Sequence, residues 1–439
     1  MIVQKFGGTS VGKPERMHHV ARLVNDGNKK IVVLSAVSGT TNTLVKISST
    51  FLERKEDEAK QLIKELRMFY YDFVEKLYTT SSSKEKGLSY VNQIFDYLNS
   101  FSSKGFSSKE ERIFLAQGEL ISTHLMYYYM QEQGISATLI PALEFMRTEE
   151  GEPDMPYIEK NLAKFLEKSK ENIILTQGYI CLNEFGEIDN LKRGGSDYTA
   201  SIIGAAVRAD VVEIWTDIDG MHNNDPRVVK NTVPVHEITF EEAAELAYFG
   251  AKILHPSSVL PAMKCNIPVK LLNTMHPEAR GTTITQNAPE GLKAIAAKDG
   301  ITVIRIKSTR MFLAYGFLKK VFEIFEAYKT PIDMITTSEV AVSLTIDNTA
   351  NLDRIVASLE QFCTVEVEHE MSIICAVGQN IAENTELSFT ILDQLKSIPV
   401  RMVSFGGSKN NISMLVPTSF KEKALIAIHE GIFLKKSLT

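Results

Sequence analysis

The sequence predicts an α/β chain: a mostly parallel-sheet domain over 1–287, followed by two α+β units of βαββαβ order. Three observations carry this. The chain opens on an apolar run that meets glycines, Ile2-Val3-Gln4-Lys5-Phe6-Gly7-Gly8-Thr9-Ser10-Val11-Gly12, which reads as a strand feeding a glycine turn into a helix. Strand-like and helix-like segments then alternate through residue 285, the rhythm of a parallel sheet covered by helices. Beyond a Pro/Gly linker at 288–291 the rhythm changes to a repeat.

The first turn is a natural phosphate seat, because backbone N–H groups and the positive end of a helix dipole meet there. Lys5, at the strand's end, adds a charge. The stretch nearly spells a P-loop, but Pro14 stands where that motif needs a Ser or Thr hydroxyl for Mg²⁺. A helix follows over 13–28, then a β-branched strand over 30–34 that runs into the hydroxyl-rich loop Ser35-Ala36-Val37-Ser38-Gly39-Thr40-Thr41-Asn42. In a parallel sheet such loops gather at the carboxyl edge, where ligands bind. Residues 44–108 read as a charged helical insertion interrupted at Ser81-Ser82-Ser83 and over 100–108.

The helix over 113–129 carries Glu119 among apolar and small residues, and an acid there needs a partner. Strands over 137–141 and 173–179 precede Arg193-Gly194-Gly195-Ser196-Asp197, which enters a helix over 200–208. Ser196 or Asp197 could cap that helix; capping does not account for Arg193 or the paired glycines, so the loop is read as ligand-binding. A strand over 210–215 leads to Thr216-Asp217-Ile218-Asp219-Gly220, whose Asp-x-Asp-Gly lacks the closing glutamate of a calcium loop. A helix over 239–252 leads to His255-Pro256, where the imidazole reads as a helix-end cap.

In the last third, strand 301–307, helix 317–328, strands 332–336 and 340–346, helix 352–362 and strand 365–368 form one unit over 301–371. The order restarts at 373–377 for a second unit over 372–439, with a strand from 293–299 available to complete it and 288–300 joining the parts. Pro331-Ile332-Asp333-Met334-Ile335-Thr336 echoes Pro399-Val400-Arg401-Met402-Val403-Ser404.

Composition narrows the partners. At 439 residues, 44% hydrophobic and 23% charged, the chain is of ordinary globular type, and a net charge of −6 argues against nucleic acid or a membrane surface. No apolar run reaches bilayer length, and no basic region precedes the first strand. Cys181, Cys265, Cys363 and Cys375 are scattered, as expected of reduced thiols in a cytoplasmic protein.

Lys5-Phe6-Gly7-Gly8-Thr9-Ser10, Arg193-Gly194-Gly195-Ser196-Asp197, Trp215-Thr216-Asp217 with Asp225-Pro226-Arg227, and Phe249-Gly250-Ala251-Lys252 with His255-Pro256 occur in an order that resembles the aspartate kinases of the amino-acid kinase superfamily. The tail resembles that family's paired ACT domains. The resemblance implies that Lys5, Phe6, Gly7 and Gly8 hold the ATP phosphates, with Lys5 also neutralising the transferred group and Asp197 orienting Lys5. Thr41, Glu119, Arg193, Gly194, Gly195 and Ser196 would bind aspartate. Thr216, Asp217, His222, Arg227, Lys252 and Ile253 would hold the nucleotide; the family commonly has tyrosine where His222 stands, and an imidazole can still cover the adenine ring. Mg²⁺ would be held through the nucleotide's oxygens, with no protein ligand named.

In the first ACT unit, Met311, Ala314, Phe317, Leu318, Pro331, Ile332, Asp333, Ser338 and Glu339 match positions that resemble a lysine pocket. Threonine stays open as effector, since Ala314 replaces a serine often found there. A homodimer through the ACT domains is implied as well. The rivals are another kinase of the superfamily, acting on acetylglutamate, carbamate or a nucleotide, and a catalytically silent amino-acid sensor.

Overall fold

The computed structural model describes residues 1–191, 194–250, 254–307 and 315–434. It divides into two units, Met1–Met221 with Leu254–Gln286, and His222–Ile253 with Asn287–Thr439.

In the first unit the strand order is Thr282–Thr285, Val269–Asn273, Val211–Thr216, Ile2–Phe6, Lys30–Leu34, Ile173–Gln177, Ala137–Leu139. All these neighbours run parallel except Thr282–Thr285, which is antiparallel to Val269–Asn273. The first strand is central, in register with Lys30–Leu34 on one side and Val211–Thr216 on the other, with Lys5 opposite both Val33 and Ile214. The chain leaves Ile2–Phe6 toward one side and returns to it on the other, which opens a crevice at the strands' carboxyl ends. Lys30–Leu34 and Ile173–Gln177 are buried at every position, as strands covered on both faces must be.

Helices Thr40–Leu52, Glu56–Leu77, Ser81–Asn99 and Ser108–Glu132 pack a core around Leu44, Ile47, Phe51, Tyr70, Phe95 and Phe114, each at most 1% exposed. The serine triplet at 81 begins a helix instead of breaking one: the Thr80 hydroxyl accepts from the Ser83 N–H, so the hydroxyls serve the cap. Helix Gly195–Val207 starts five residues before the expected 200, because Gly194 (φ 69°) and Gly195 (φ 49°) make the turn into it. Its small residues let it lie close to the sheet; a Cβ on Gly204 would stand 2.5 Å from Val212 Cγ2.

The second unit is built on one six-stranded antiparallel sheet, ordered Ile335–Thr337, Ala341–Ile346, Gly291–Lys307, Thr364–Gln379, Asn411–Pro417, Met402–Phe405. Its two central strands run 17 and 16 residues. The repeat reading splits each in two, at the polar Lys298-Asp299-Gly300 and near His369-Glu370. The structure instead carries them through, absorbing the irregularity as register shifts between Lys298 and Val303. One set of helices covers Ile304, Val321, Phe325, Leu344 and Ile355; the other covers Ile295, Ile374, Ile391, Ile412 and Leu425. Helix Phe240–Tyr248 of this unit opens with a capping box between Thr239 and Glu242.

Candidate active site

Between the carboxyl ends of Ile2–Phe6, Lys30–Leu34 and Val211–Thr216 lies a cleft of about 520 Å³ in the first unit. Lys5 reaches into it from the central strand, with Nζ 2.6 Å from Asp197 Oδ1 and both side chains largely covered, 11% and 17% exposed. Asp197 stands in the first turn of helix Gly195–Val207, so the pair joins the sheet to a helix start.

The glycines beside Lys5 keep the turn close, tightly so at Gly8. A Cβ on Gly7 would stand 3.4 Å from Lys5 Nζ, and one on Gly8 would stand 3.0 Å from Ala36 O. The turn is closed by Gly7 N–H on Trp215 O at 3.2 Å and by the Ser10 and Val11 N–H groups on Gly7 O. Phe6 is fully buried and stacks on Trp215, so its backbone is what it can offer a ligand.

A second wall comes from helix Ser108–Glu132. Glu119 is 3% exposed; its Oε1 accepts from the Ala36 N–H at 3.2 Å, while Oε2 has no hydrogen-bond partner among the described residues. Burial pushes this carboxyl up to about 8, against the opposing pull of the Ala36 N–H and the Lys5 charge. A buried acid with an idle oxygen facing a cleft is a receptor for a donor, such as an ammonium. The neighbouring loop turns at Gly39 (φ 85°) into helix Thr40–Leu52, whose Thr41 and Asn42 line the cleft. Behind them Thr40 Oγ1 meets Tyr70 Oη at 2.7 Å, both buried.

The third wall is Tyr179, Gly195 and Ser196. Tyr179 holds φ 67°, a strained setting for an aromatic residue, and is fixed on both sides: its N–H donates to Thr199 Oγ1 at 2.8 Å and its C=O accepts from the Leu191 N–H at 2.8 Å. No periodicity or motif marks Tyr179 or Tyr70; a positive φ at a tyrosine has no sequence signature. Arg193 lies outside the described residues, and Gly194 beside it is the helix cap.

Thr216 and Asp217 also line the cleft, the hydroxyl 3.2 Å from the carboxylate. His222 and Arg227 belong to the second unit. There His222 Nδ1 lies 2.9 Å from Thr232 Oγ1, and the Arg227 guanidinium, 86% exposed, forks onto Asp225 at 2.7–3.2 Å. Lys252 and Ile253 lie outside the described residues. His255 caps the 3₁₀ turn Pro256–Val259, its Nδ1 accepting from the Ser257 N–H at 3.2 Å.

Of the residues expected to line an effector pocket, Met311 and Ala314 lie outside the described residues. Phe317 meets Phe362 edge-on at 5.9 Å, Leu318 is exposed, and Ile332 packs against the core of its unit. Pro331 and Glu339 are exposed, while the Ser338 N–H donates to Ala341 O at 2.8 Å. The Asp333 side chain is 1% exposed and receives the Lys298 ammonium.

Within the cleft, a lysine ammonium, close-packed glycine turns and two helix starts present positive character to an anion, and a buried carboxylate faces them. Comparisons with known proteins agree in kind. The model of the Amino acid kinase family matches residues 1–273, and an ACT domain model matches 374–432. Lysine-sensitive aspartokinase 3 of Escherichia coli is 32% identical over 99% of both chains. The crystal structure of E. coli aspartokinase III in complex with aspartate and ADP (R-state) superposes with a TM-score of 0.81 at 31% identity, covering 99% of this chain and 100% of that one. The complex of the same enzyme with lysine and aspartate (T-state) gives 0.81 at 32%, covering 99% of each. The chain belongs to the aspartokinases of the amino acid kinase family, kinases of aspartate with a C-terminal ACT domain.

Proposed function

We propose that the cleft transfers the γ-phosphoryl group of ATP to the side-chain carboxylate of L-aspartate, giving 4-phospho-L-aspartate as the first step of lysine, threonine and methionine biosynthesis in the cytoplasm. The aspartate side chain, with an ordinary pKa near 3.9, is already ionised at neutral pH and needs no general base. The obstacle is the approach of two anions, which cations and backbone donors around the γ-phosphate reduce. Lys5 supplies that charge, and Asp197 fixes where its ammonium points. Glu119 takes the substrate ammonium, Arg193 forks onto the α-carboxylate, and Thr41 and Ser196 complete the grip.

Gly7, Gly8, Thr216 and Asp217 receive the nucleotide. Mg²⁺ would come as the nucleotide's companion, held mainly through its phosphate oxygens. When bound, it shields the phosphate charge. The first ACT unit is proposed to take lysine as feedback inhibitor at Asp333, Ser338 and Glu339, in a homodimer formed through the ACT domains.

The observation that carries this reading is the 2.6 Å Lys5–Asp197 pair in a cleft that also holds the unpartnered Glu119 oxygen. ATP turnover with L-aspartate, acetylglutamate, carbamate and nucleoside monophosphates tests it. Turnover with aspartate alone, its acyl phosphate trapped by hydroxylamine as the hydroxamate with release of phosphate, is expected; turnover with another acceptor, or with none, would reject it.

A further inference from the structure

Asp333 is held tightly before strand Ile335–Thr337: its N–H donates to Thr345 O at 2.9 Å, and the next N–H, of Met334, donates to Thr345 Oγ1 at 2.8 Å. The carboxylate is 1% exposed and unevenly used. Oδ1 accepts from Lys298 Nζ at 2.9 Å and from Tyr248 Oη at 2.7 Å; Oδ2 has no hydrogen-bond partner among the described residues. Lys298 Nζ also lies 2.8 Å from Asp347 Oδ2 and 4.4 Å from the centre of the Tyr248 ring. Lys298 sits where the long strand Gly291–Lys307 shifts register, Asp347 follows strand Ala341–Ile346, and Tyr248 ends helix Phe240–Tyr248. Four segments of one unit thus meet around the Lys298 ammonium.

The surroundings of Lys298 Nζ, two carboxylates and an aromatic face, are those a free amino acid's ammonium would seek. We propose that Lys298 is an internal stand-in for the effector's ammonium, displaced from Asp333 when the effector binds, and that the Tyr248 hydroxyl is displaced with it. The proposal rests on the reading of Asp333 as the effector carboxylate. Two ammonium groups on one buried carboxylate repel, so the arriving one expels the resident. Oδ2, without a hydrogen-bond partner among the described residues, is the oxygen left to receive the arriving ammonium, and Asp347 keeps the displaced lysine neutralised, leaving no buried charge unpaired.

The protonation states fit. Burial disfavours the Lys298 charge, but Asp347 and Asp333 outweigh it and raise its pKa; burial and then Asp333 raise that of Tyr248, keeping its hydroxyl a donor. An effector acts only through what differs between two states, and here that difference is the hold on the end of helix Phe240–Tyr248. Tyr248 lies four residues before Lys252, the residue read above as a nucleotide contact, so the released hold has a short covalent path to it.

The test is calorimetric titration of the full chain with L-lysine, beside aspartate-dependent ATP turnover, with thermal melting to confirm folding. Lys298→Gln removes the competitor and is expected to tighten lysine binding about fivefold or more, whereas Lys298→Arg keeps the charge and the parental affinity. Tyr248→Phe is expected to bind lysine yet lose part of the inhibition at saturation. A folded Lys298→Gln with unchanged or weaker lysine affinity overturns the proposal, as does full inhibition of Tyr248→Phe. If the parent binds no lysine, or Asp333→Asn binds it equally well, the effector reading itself fails and takes this proposal with it.

Discussion

Glu119 shows how one residue's setting becomes a measurable property. Its carboxyl is pushed up to about 8 by burial, so between about pH 4.5 and 8 the folded chain holds a proton that the unfolded chain has released. Stability from this group is therefore complete below the unfolded pKa and lost as pH rises through the folded one. Melting temperatures of Glu119→Gln and the parent, compared from pH 5 to 9, should show the variant gaining on the parent as pH rises. On the proposed reading substrate binding runs the other way, because the ammonium of aspartate would pair with the ionised form. The KM for aspartate should fall toward pH 8 in the parent. In Glu119→Gln it should be nearly flat and about 10- to 100-fold higher, the worth of a hydrogen bond to a charged group. An unchanged KM would remove Glu119 from the substrate site.

Helix starts, more than any single side chain, shape the cleft. Gly194 must hold φ 69°, and a Cβ there would stand 2.3 Å from Ser258 Cβ. Gly194→Ala should cost about 1–3 kcal/mol in chemical denaturation, a result near zero meaning that the turn can reshape. Tyr70, from the helical insertion, steadies the start of helix Thr40–Leu52 through Thr40. Tyr70→Phe leaves a buried hydroxyl without its partner and should cost about 1–3 kcal/mol, with a raised KM for aspartate.

What could be read beforehand divides along the same line. Lys5, Glu119 and the Gly194-Gly195 turn stand out because charge or glycine is unusual beside apolar runs. Tyr70 and Tyr179 do not, because their roles come from a contact 30 residues away in sequence and from a backbone angle that tyrosine rarely adopts. The charged helical insertion thus supplies a support for the cleft.

Across the whole chain, the alternation of strands and helices made the parallel sheet legible, and the echo between 331–336 and 399–404 made the repeat legible. What stayed hidden is that the repeats share two long strands, since Lys298-Asp299-Gly300 has the composition of a turn and becomes a bulge only when the partner strand pairs through it. That sheet ends in outer strands with Ile335, Val403 and Phe405 exposed, the kind of edge a second copy covers. If the proposed dimer forms there, Phe405→Lys should shift the chain toward monomer in sedimentation velocity, and an unchanged mass would place the interface elsewhere.

The most direct test of the central claim, that Lys5 steadied by Asp197 neutralises the group being transferred, is the split between kcat and KM in Lys5→Met. Removing one preorganised charge from a transferring group should lower kcat about 10²- to 10³-fold, with a smaller change in the KM for aspartate. A variant that turns over at the parental rate would contradict it.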